Sequence, residues 1–152
     1  MSRRDASRGT GRAGAEPASI RYLDDPGSVE PDDLVGFWEG WPAPPSAERH
    51  RDALLGAEVA ILAVDDAAAG RVVGFVTVVG DSALAAFIPF LEVLPEYRGR
   101  GIGRELIRRA LAAIQPRYSV DLVCDEDLVD FYEAAGFARL TAMGIRDRSA
   151  LP

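Results

Sequence analysis

The sequence predicts one α/β domain, in which helices cover a mixed β-sheet in the order β-α-α-β-β-β-α-β-α-β. Three apolar segments at 58–64, 71–80 and 85–94 are separated by short turns and predict neighbouring strands. An amphipathic helix at 104–114 follows the last of them, and a further strand at 119–124 follows that helix. Strands and helices in this arrangement are typical of a sheet with helices on its faces.

The length and composition are those of a single globular domain. The chain has 152 residues, of which 48% are hydrophobic and 27% charged. Residues 1–18 are rich in Arg, Gly, Ala and Ser and cannot bury apolar surface, so we expect a disordered tail before one domain at 19–152. No apolar run is long enough to span a membrane, and the start lacks the apolar core of a secretory signal.

The first part of the domain is predicted to contain one strand, at 19–23, and two helices. Pro31 stands in the first turn of a predicted helix at 31–41, whose apolar residues recur at helical spacing. Prolines end this helix, and Ser46 is the expected N-cap of a second helix at 46–55.

The rest of the domain continues as strands and helices. The elements are, in chain order, strands at 58–64, 71–80 and 85–94, the helix at 104–114, a strand at 119–124, a helix at 127–135 and a last strand or hairpin within 137–147. The strand at 85–94 is apolar except for Glu92, so we expect it to be buried on both faces. Pro116 ends the preceding amphipathic helix, because proline cannot continue it.

The segment between the strand at 85–94 and the amphipathic helix carries glycines at alternate positions, Gly99, Gly101 and Gly103. Glycine lets successive backbone N–H groups converge on one anion, and the start of a helix adds partial positive charge. Three arginines reinforce that charge: Arg98, Arg100 and Arg104. The turn therefore predicts a phosphate-binding site.

The glycine spacing is compatible with more than one phosphate ligand. A Walker P-loop is excluded, because Arg104 and Glu105 stand where Lys and Ser or Thr are required. A dinucleotide-binding fingerprint fits formally, with Asp121 as its acidic residue, but several strands and helices precede the loop and only one helix follows it after the next strand. The third candidate ligand is the diphosphate of coenzyme A.

Two motifs resemble those of a known family. The pattern Arg98-x-x-Gly101-x-Gly103, after a strand ending Val-Leu-Pro, resembles the acyl-CoA signature of the GNAT superfamily of N-acetyltransferases. The strand at 119–124 and the helix that carries Tyr132 resemble its second signature, and the two together cover residues 84–137. The resemblance implies the GNAT acyl-CoA N-acyltransferase fold, with acetyl-CoA as co-substrate and no metal.

The resemblance also implies which residues hold the coenzyme. Pantetheine would lie along the strand before the turn, on backbone groups of Leu91, Glu92 and Val93, and the Val93 N–H would stabilise the oxyanion. Core packing is the alternative role of the Leu91 and Val93 side chains, and it is compatible with binding through the backbone. The residues expected to bind the coenzyme are Leu91, Val93, Arg98, Gly99, Arg100, Gly101, Ile102, Gly103 and Arg104.

Two side chains are the candidates for proton transfer. Tyr132 matches the family's general acid, which protonates the coenzyme thiolate; by periodicity alone it would belong, with Phe131, to the apolar face of a short helix. Pro89 stands where family members often carry a catalytic Glu. Glu92 is therefore the candidate base, and its alternatives are a structural ion pair with an arginine and a base role taken by a water chain.

The acceptor amine is expected near the two helices that follow the first strand. Phe37, Trp38 and Trp41 are the candidate substrate-binding residues, since aromatic faces beside carboxylates suit an ammonium group. Packing of Phe37 and Trp38 on the sheet is the alternative. The net charge of −7 argues against a nucleic acid partner and favours a cationic acceptor.

Three further residues receive structural interpretations. Asp125 replaces an Asn that contacts the coenzyme in the family, and is interpreted as a helix N-cap. Cys124, the only cysteine, is interpreted as a small buried hydrophobe and excludes an internal disulfide, as in a reducing compartment. His50 is interpreted as a structural residue on a surface helix.

We therefore expect a cytoplasmic N-acetyltransferase that moves an acetyl group from acetyl-CoA to a primary amine, such as a small cationic metabolite. It would have no nucleic-acid or membrane partner, and a homodimer is left open. The alternative is a non-catalytic acyl-CoA-binding module that senses the coenzyme or regulates a partner, and a dinucleotide-dependent enzyme is the third class.

Overall fold

The computed structural model describes residues 20–147 and residue 150 of the chain. Its strands and helices follow the order β-α-β-β-β-α-β-α, with short 3-10 turns between them. The bounds are β1 Ile20–Leu23, α1 Ala47–Leu55, β2 Val59–Asp65, β3 Arg71–Gly80, β4 Ala85–Val93, α2 Ile102–Ala113, β5 Ser119–Leu122 and α3 Val129–Glu133. The tail expected at 1–18 lies outside the described residues.

One mixed sheet contains all five described strands, in the order in which they occur along the chain. β1 to β4 are antiparallel neighbours, and β5 runs parallel to β4 after the crossover through α2. The predicted fold class is thus confirmed. The dinucleotide-binding alternative is wrong, because that fold requires a largely parallel sheet and here a single pair of described strands is parallel.

The sheet packs against a hydrophobic core on each of its two faces, and neighbouring residues of β3 face opposite cores. Gly74 faces α2, where a Cβ atom would lie only 3.2 Å from the Leu106 side chain, so its missing side chain lets the helix approach. Phe75 faces the opposite side, where its ring lies 4.4 Å from that of His50 in α1. Ser46 caps α1 as predicted, since its side chain accepts a hydrogen bond from the Arg49 N–H at 3.2 Å.

The helix predicted at 31–41 does not form. A 3-10 turn covers Pro31–Asp33, and the chain then continues as an irregular segment, residues 34–41, which we call the aromatic loop. Gly36, Trp38 and Gly40 have φ of 87°, 67° and 81°, which no right-handed helix contains. Helical spacing of apolar residues was misleading here, because two glycines disfavour a helix and the loop buries the same side chains by folding back on the sheet.

The last strand or hairpin predicted within 137–147 is also wrong. Residues 137–147 carry no regular secondary structure, and Leu140, Met143 and Ile145 are between 72% and 99% exposed. The segment contains several apolar residues, but no neighbouring strand pairs with it in the described part of the chain. Without a partner, its backbone groups are left to water.

β4 bends away from β5 halfway along its length. Opposite Thr77 and Val79 of β3 stand Phe90 and Phe87, so that one extra residue of β4 forms a bulge at Ile88–Pro89. Proline is tolerated there because a bulge removes the need for a ladder N–H. The pairing of β4 with β5 ends at Ile88 and Leu122, where β5 itself ends, and the rest of β4 has no neighbour on that side among the described strands.

Candidate active site in the cleft at the end of β4

The cleft has a volume of about 860 Å³ and brings together four parts of the chain. These are the end of β4, residues 97–104 that lead into and begin α2, the residues around the start of α3, and one residue of the aromatic loop. Its lining residues are Glu39, Leu91, Glu92, Val93, Tyr97, Arg98, Gly99, Gly101, Ile102, Gly103, Arg104, Asp125, Asp127, Leu128, Phe131 and Tyr132.

The backbone of β4 presents an unpaired edge to this cleft. The Leu94 N–H donates to the Val73 carbonyl at 2.9 Å, so Leu94 faces β3. Backbone groups of successive strand residues point in opposite directions, and those of Val93 therefore face the cleft. Arg98 confirms this direction, because its Nε donates to the Val93 carbonyl oxygen at 3.0 Å.

Residues 98–104, the glycine turn, lead from this edge into α2. Gly99 and Gly101 have φ of 73° and 82°, and a Cβ atom at either would have no neighbour within 4 Å. Gly101 is the N-cap of α2 and supplies no side-chain oxygen, so the first N–H groups of the helix have no side-chain cap. A 12-residue helix that begins with uncapped N–H groups favours a bound anion.

The three arginines of the glycine turn have different environments. Arg98 forms an ion pair with Glu39 of the aromatic loop at 2.8 Å. Arg100 donates to the Glu96 carbonyl at 2.7 Å and does not line the cleft. Arg104 lines the cleft and forms no ion pair with any residue in the described ranges, so its charge is available to an anionic ligand.

Tyr132 extends from α3 into the cleft, with its ring packed edge-on against Phe131 at 4.9 Å and Phe137 at 5.8 Å. The residue is 9% exposed, and its hydroxyl group has no hydrogen-bond partner within the described part of the chain. Burial and, to a smaller extent, the Cys124 thiol raise the pKa of Tyr132 to about 12. The phenol is therefore protonated at neutral pH and its proton is not engaged by a protein group.

Glu92 also lines the cleft, and its side chain points to the opposite face of the sheet from the Val93 side chain. Its carboxylate accepts a hydrogen bond from the backbone N–H of Trp38 at 2.8 Å. Burial raises the pKa of Glu92, and the Trp38 N–H and the charge of Arg98 oppose that shift in part. No arginine forms an ion pair with Glu92 in residues 20–147, so the structural ion-pair alternative has no support.

The aromatic loop does not place its large side chains as the sequence suggested. Phe37 and Trp38 are 8% and 5% exposed and pack on Phe75 and His50, which is the packing alternative. Neither side chain lines the cleft, and Trp41, which is 37% exposed, stacks edge-on against Trp38. The loop instead contributes the Trp38 N–H and the Glu39 carboxylate.

His50 is not on the surface, contrary to the expectation. It is 1% exposed, and its Nδ1 accepts a hydrogen bond from the Trp38 indole N–H at 3.3 Å. Burial lowers the pKa of His50 to about 4, against a smaller opposing effect of the Leu34 backbone. The imidazole is thus neutral at neutral pH and belongs to the core under the aromatic loop.

Sequence reasoning missed two pairs at this site, Glu39 with Arg98 and Tyr97 with Asp65. Tyr97 lines the cleft and donates its hydroxyl proton to Asp65 of β2 at 2.9 Å. Both contacts join segments far apart in the sequence, and no local spacing signals them. The one available clue was an acidic residue, Asp65, at the end of an otherwise apolar strand.

Comparison with known proteins decides the relationship of this chain. A profile of the acetyltransferase (GNAT) family matches residues 22–137, a range that includes every candidate site residue. The chain belongs to the GNAT acetyltransferase family. A GNAT fold implies an acyl-CoA co-substrate.

Solved structures and curated proteins support this assignment. The chain is similar to a candidate acetyltransferase from Deinococcus radiodurans R1, at 43% identity and a TM-score of 0.82 over 87% of this chain and 91% of that one. A GNAT family acetyltransferase from Streptococcus pneumoniae TIGR4 gives 30% identity and a TM-score of 0.67 over 86% and 98%. GCN5-related N-acetyltransferase 2, chloroplastic, of Arabidopsis thaliana is 33% identical over 69 residues, 44% of this chain. The match spans only 27% of that relative's length.

None of the helices in the described residues of this GNAT protein is long and apolar enough to cross a membrane. No group of three or more His, Cys, Asp or Glu side chains in the same residues could hold a metal ion.

Proposed function

We propose that this protein transfers an acetyl group from acetyl-CoA to the primary amine of a small cationic metabolite, in the cytoplasm. One observation carries the proposal: the unpaired edge of β4, the uncapped start of α2 and the Tyr132 hydroxyl meet in one cleft. In acetyl-CoA an extended pantetheine chain joins a thioester to a diphosphate, so the three features match the chain, the diphosphate and the sulfur of this molecule, respectively.

The residues of the cleft fit coenzyme A. The N–H groups at the start of α2 and the Arg104 guanidinium would hold the diphosphate, as the glycines at 99 and 101 leave its approach open. The Val93 N–H would hold the carbonyl oxygen of the acyl group, while the backbone of β4 orients the pantetheine chain. Bound acetyl-CoA would supply an activated acetyl group as a thioester, with a thiolate as its leaving group.

Tyr132 would provide the proton for the sulfur. Its phenol is protonated over the neutral range, and no described protein group accepts its hydrogen bond. A phenol of this pKa is a weaker acid than a thiol, whose unperturbed pKa is about 8.5. We therefore assign Tyr132 hydrogen-bond donation to the sulfur as its main contribution, which stabilises negative charge there without requiring complete proton transfer.

Glu92 would act as the base that accepts a proton from the acceptor amine. Its raised pKa makes the carboxylate more basic than an exposed glutamate, and the Trp38 N–H fixes its orientation. An amine attacks only in its neutral form, so a base next to the cleft increases the reactive fraction at neutral pH.

The charge of the cleft supports a cationic acceptor. Four carboxylates line it, on Glu39, Glu92, Asp125 and Asp127, and the chain carries a net charge of −7. Carboxylates attract an ammonium-bearing amine and raise its local concentration. Trp41 is the exposed aromatic residue of the aromatic loop and would offer its ring face to the cation.

Two assays test this function. Acetyl-CoA and CoA should raise the melting temperature of the protein, because a ligand at 100 times its Kd adds about 2.7 kcal/mol to the free energy of unfolding. NAD and ATP should not raise it, because the proposal gives them no binding site. Release of free CoA should then depend on an added amine, with polyamines and amino-acid esters ahead of neutral amines of similar size. CoA binding without turnover on a broad amine panel would favour the sensor alternative, and stabilisation by NAD alone would contradict both.

A further inference from the structure

The segment that connects β4 to α2 begins at Leu94, which is buried in the core, and leads to the buried Ile102 at the start of α2. Between these two ends Tyr97 is the one buried side chain: it is 8% exposed, whereas Glu96, Arg98, Gly99 and Arg100 are exposed to solvent. Residues 95–101 therefore have a single side chain that attaches them to the core.

The attachment is a buried hydrogen bond to a carboxylate. The Tyr97 hydroxyl donates to one Asp65 oxygen at 2.9 Å, and the other oxygen accepts the Ala67 N–H, also at 2.9 Å. Asp65 is 5% exposed, so both of its oxygens need these partners. The hydrogen bond and burial raise the pKa of Tyr97, which keeps the phenol a donor.

The same tyrosine supports the residues that follow. The Arg100 guanidinium lies over the Tyr97 ring at 4.8 Å and donates to the Glu96 carbonyl at 2.7 Å. A second contact, the ion pair of Glu96 with Arg71 at 2.9 Å, joins the segment to β3, but it is exposed and adds little. Asp65 and Arg71 flank the β2–β3 turn, which thus forms the support under the segment.

Within the glycine turn, Gly99 and Gly101 have no side chain to restrain them, and a Cβ atom at either would have no neighbour within 4 Å. Arg98 is held by Glu39 and by the Val93 carbonyl, but both contacts are exposed and add little. Glycine also loses more conformational entropy on ordering than any other residue. A site whose N–H groups are ordered before the ligand arrives binds more tightly, because less entropy is lost on binding.

We propose that Tyr97, held by Asp65, is a positioning residue that orders the glycine turn for the diphosphate of the coenzyme. The inference rests on the proposed function, since it assumes that coenzyme A binds at this turn. Tyr97 would touch neither the acyl group nor the acceptor, and would act on affinity through the backbone that follows it.

Tyr97→Phe tests this role, because it keeps the ring under Arg100 and removes only the hydroxyl. The Kd of CoA, measured by calorimetry, should rise about three- to tenfold, the range expected for loss of one hydrogen bond. The KM for acetyl-CoA should rise with it, whereas kcat at saturation should change less than about twofold. Asp65→Asn should raise the Kd to a similar extent, and the double variant should be no worse than the weaker-binding single one.

A donor without a diphosphate separates positioning from general structural damage. S-acetylpantetheine lacks the group that the glycine turn would hold, so its kcat/KM should be the same in Tyr97→Phe and in the wild type. Tyr118→Phe is the matched control, since Tyr118 is 94% exposed and outside the cleft, and it should bind CoA normally. If Tyr97→Phe does not fold, Asp65→Asn carries the same comparison of the two donors.

Three results would overturn the inference. Equal CoA affinity in the wild type and in Tyr97→Phe would show that the turn needs no such support. An equal loss of kcat/KM with both donors would show a structural role only. A wild-type protein that binds no CoA would overturn the proposed function and this inference together, and is recognised before any variant is made.

Discussion

The glycine turn and the aromatic loop meet at the ion pair of Arg98 with Glu39, yet they use the chain in opposite ways. The glycine turn presents backbone groups to the cleft, and its conformation is encoded by glycines at fixed positions. The aromatic loop turns its large side chains inward and offers the cleft one N–H group and one carboxylate. A motif therefore identifies the first region, while the second depends on packing that no short pattern encodes.

The aromatic loop requires a strained backbone conformation at Trp38. Its φ of 67° is unusual for a bulky residue and costs about 1–3 kcal/mol. The side chain is 5% exposed within a cluster of rings, and its burial offsets the strain. The strained backbone directs the Trp38 N–H at Glu92, so the conformation serves the cleft as well as the core.

The largest difference between the two regions is expected when a glycine of each is replaced by valine and the Kd of CoA is measured. Gly101 and Gly40 have φ of 82° and 81°, and neither has a neighbour within 4 Å of a Cβ atom. Either valine strains the backbone by about 1–2 kcal/mol. Gly101→Val should also raise the Kd of CoA more than about 10³-fold, because it obstructs several charge-assisted N–H contacts. Gly40→Val should change that Kd less than about tenfold in the same calorimetric experiment.

The second prediction concerns the core under the aromatic loop and the stability of the protein in acid. His50, the only histidine, has its pKa lowered from 6.5 to about 4 in the folded state. The unfolded chain therefore binds more protons between these values, and stability present above pH 6.5 is lost as the pH falls. At about 1.4 kcal/mol per unit, the loss approaches about 3 kcal/mol at pH 4.

Denaturant unfolding at a series of pH values measures this loss. His50→Gln is the control, since its amide oxygen can still accept the Trp38 indole proton but does not titrate. The variant should be less stable at pH 7 and should lose much less stability than the wild type between pH 6.5 and 4. Parallel pH profiles for the two proteins would show that His50 is accessible to protons in the folded state.

A smaller effect is expected at Glu92, where the two regions touch. If Glu92 is the base, kcat/KM should rise with pH through its pKa, and Glu92→Gln should remove that limb and lower kcat/KM about tenfold or more at neutral pH. Burial raises the folded-state pKa of Glu92, so its stabilising contribution exists at low pH and is lost as the pH rises through that pKa. The variant should thus melt no lower than the wild type at pH 7, as glutamine can still accept the Trp38 N–H. A destabilised variant with the wild-type pH profile would mean that water is the base.

Hydrophobic patterning predicted the central elements well. β3 has the predicted bounds, β4 ends one residue earlier than predicted, and β2 is shifted by one residue at both ends. Burial of these apolar segments outweighs local conformational preferences, so the pattern of apolar residues gives the bounds of the strands. The helix at 31–41 failed because its apolar residues are buried equally well by a loop, and Gly36 and Gly40 favour the loop.

The sequence predicted those site residues whose role depends on their own backbone conformation or on a recognisable motif. The glycine turn and Tyr132 belong to this class, and both line the cleft. The bulge at Pro89 had a visible signal, since proline inside a strand indicates an edge or a bulge. The contacts of Glu92 with Trp38 and of Tyr97 with Asp65 had no signal in the spacing of residues, because each joins positions 32 or more apart, and the acidic end of β2 at Asp65 was the one clue.

The central claim is that this cleft performs acyl transfer with Tyr132 as the donor of a proton or hydrogen bond to the sulfur. Steady-state kinetics of Tyr132→Phe with an accepted amine, together with calorimetry of acetyl-CoA, test it most directly. We expect kcat to fall about 10²-fold or more while the Kd of acetyl-CoA stays within about twofold, and Tyr118→Phe to match the wild type in both. Unchanged kcat in Tyr132→Phe would contradict the claim and leave Tyr132 as a packing residue of α3.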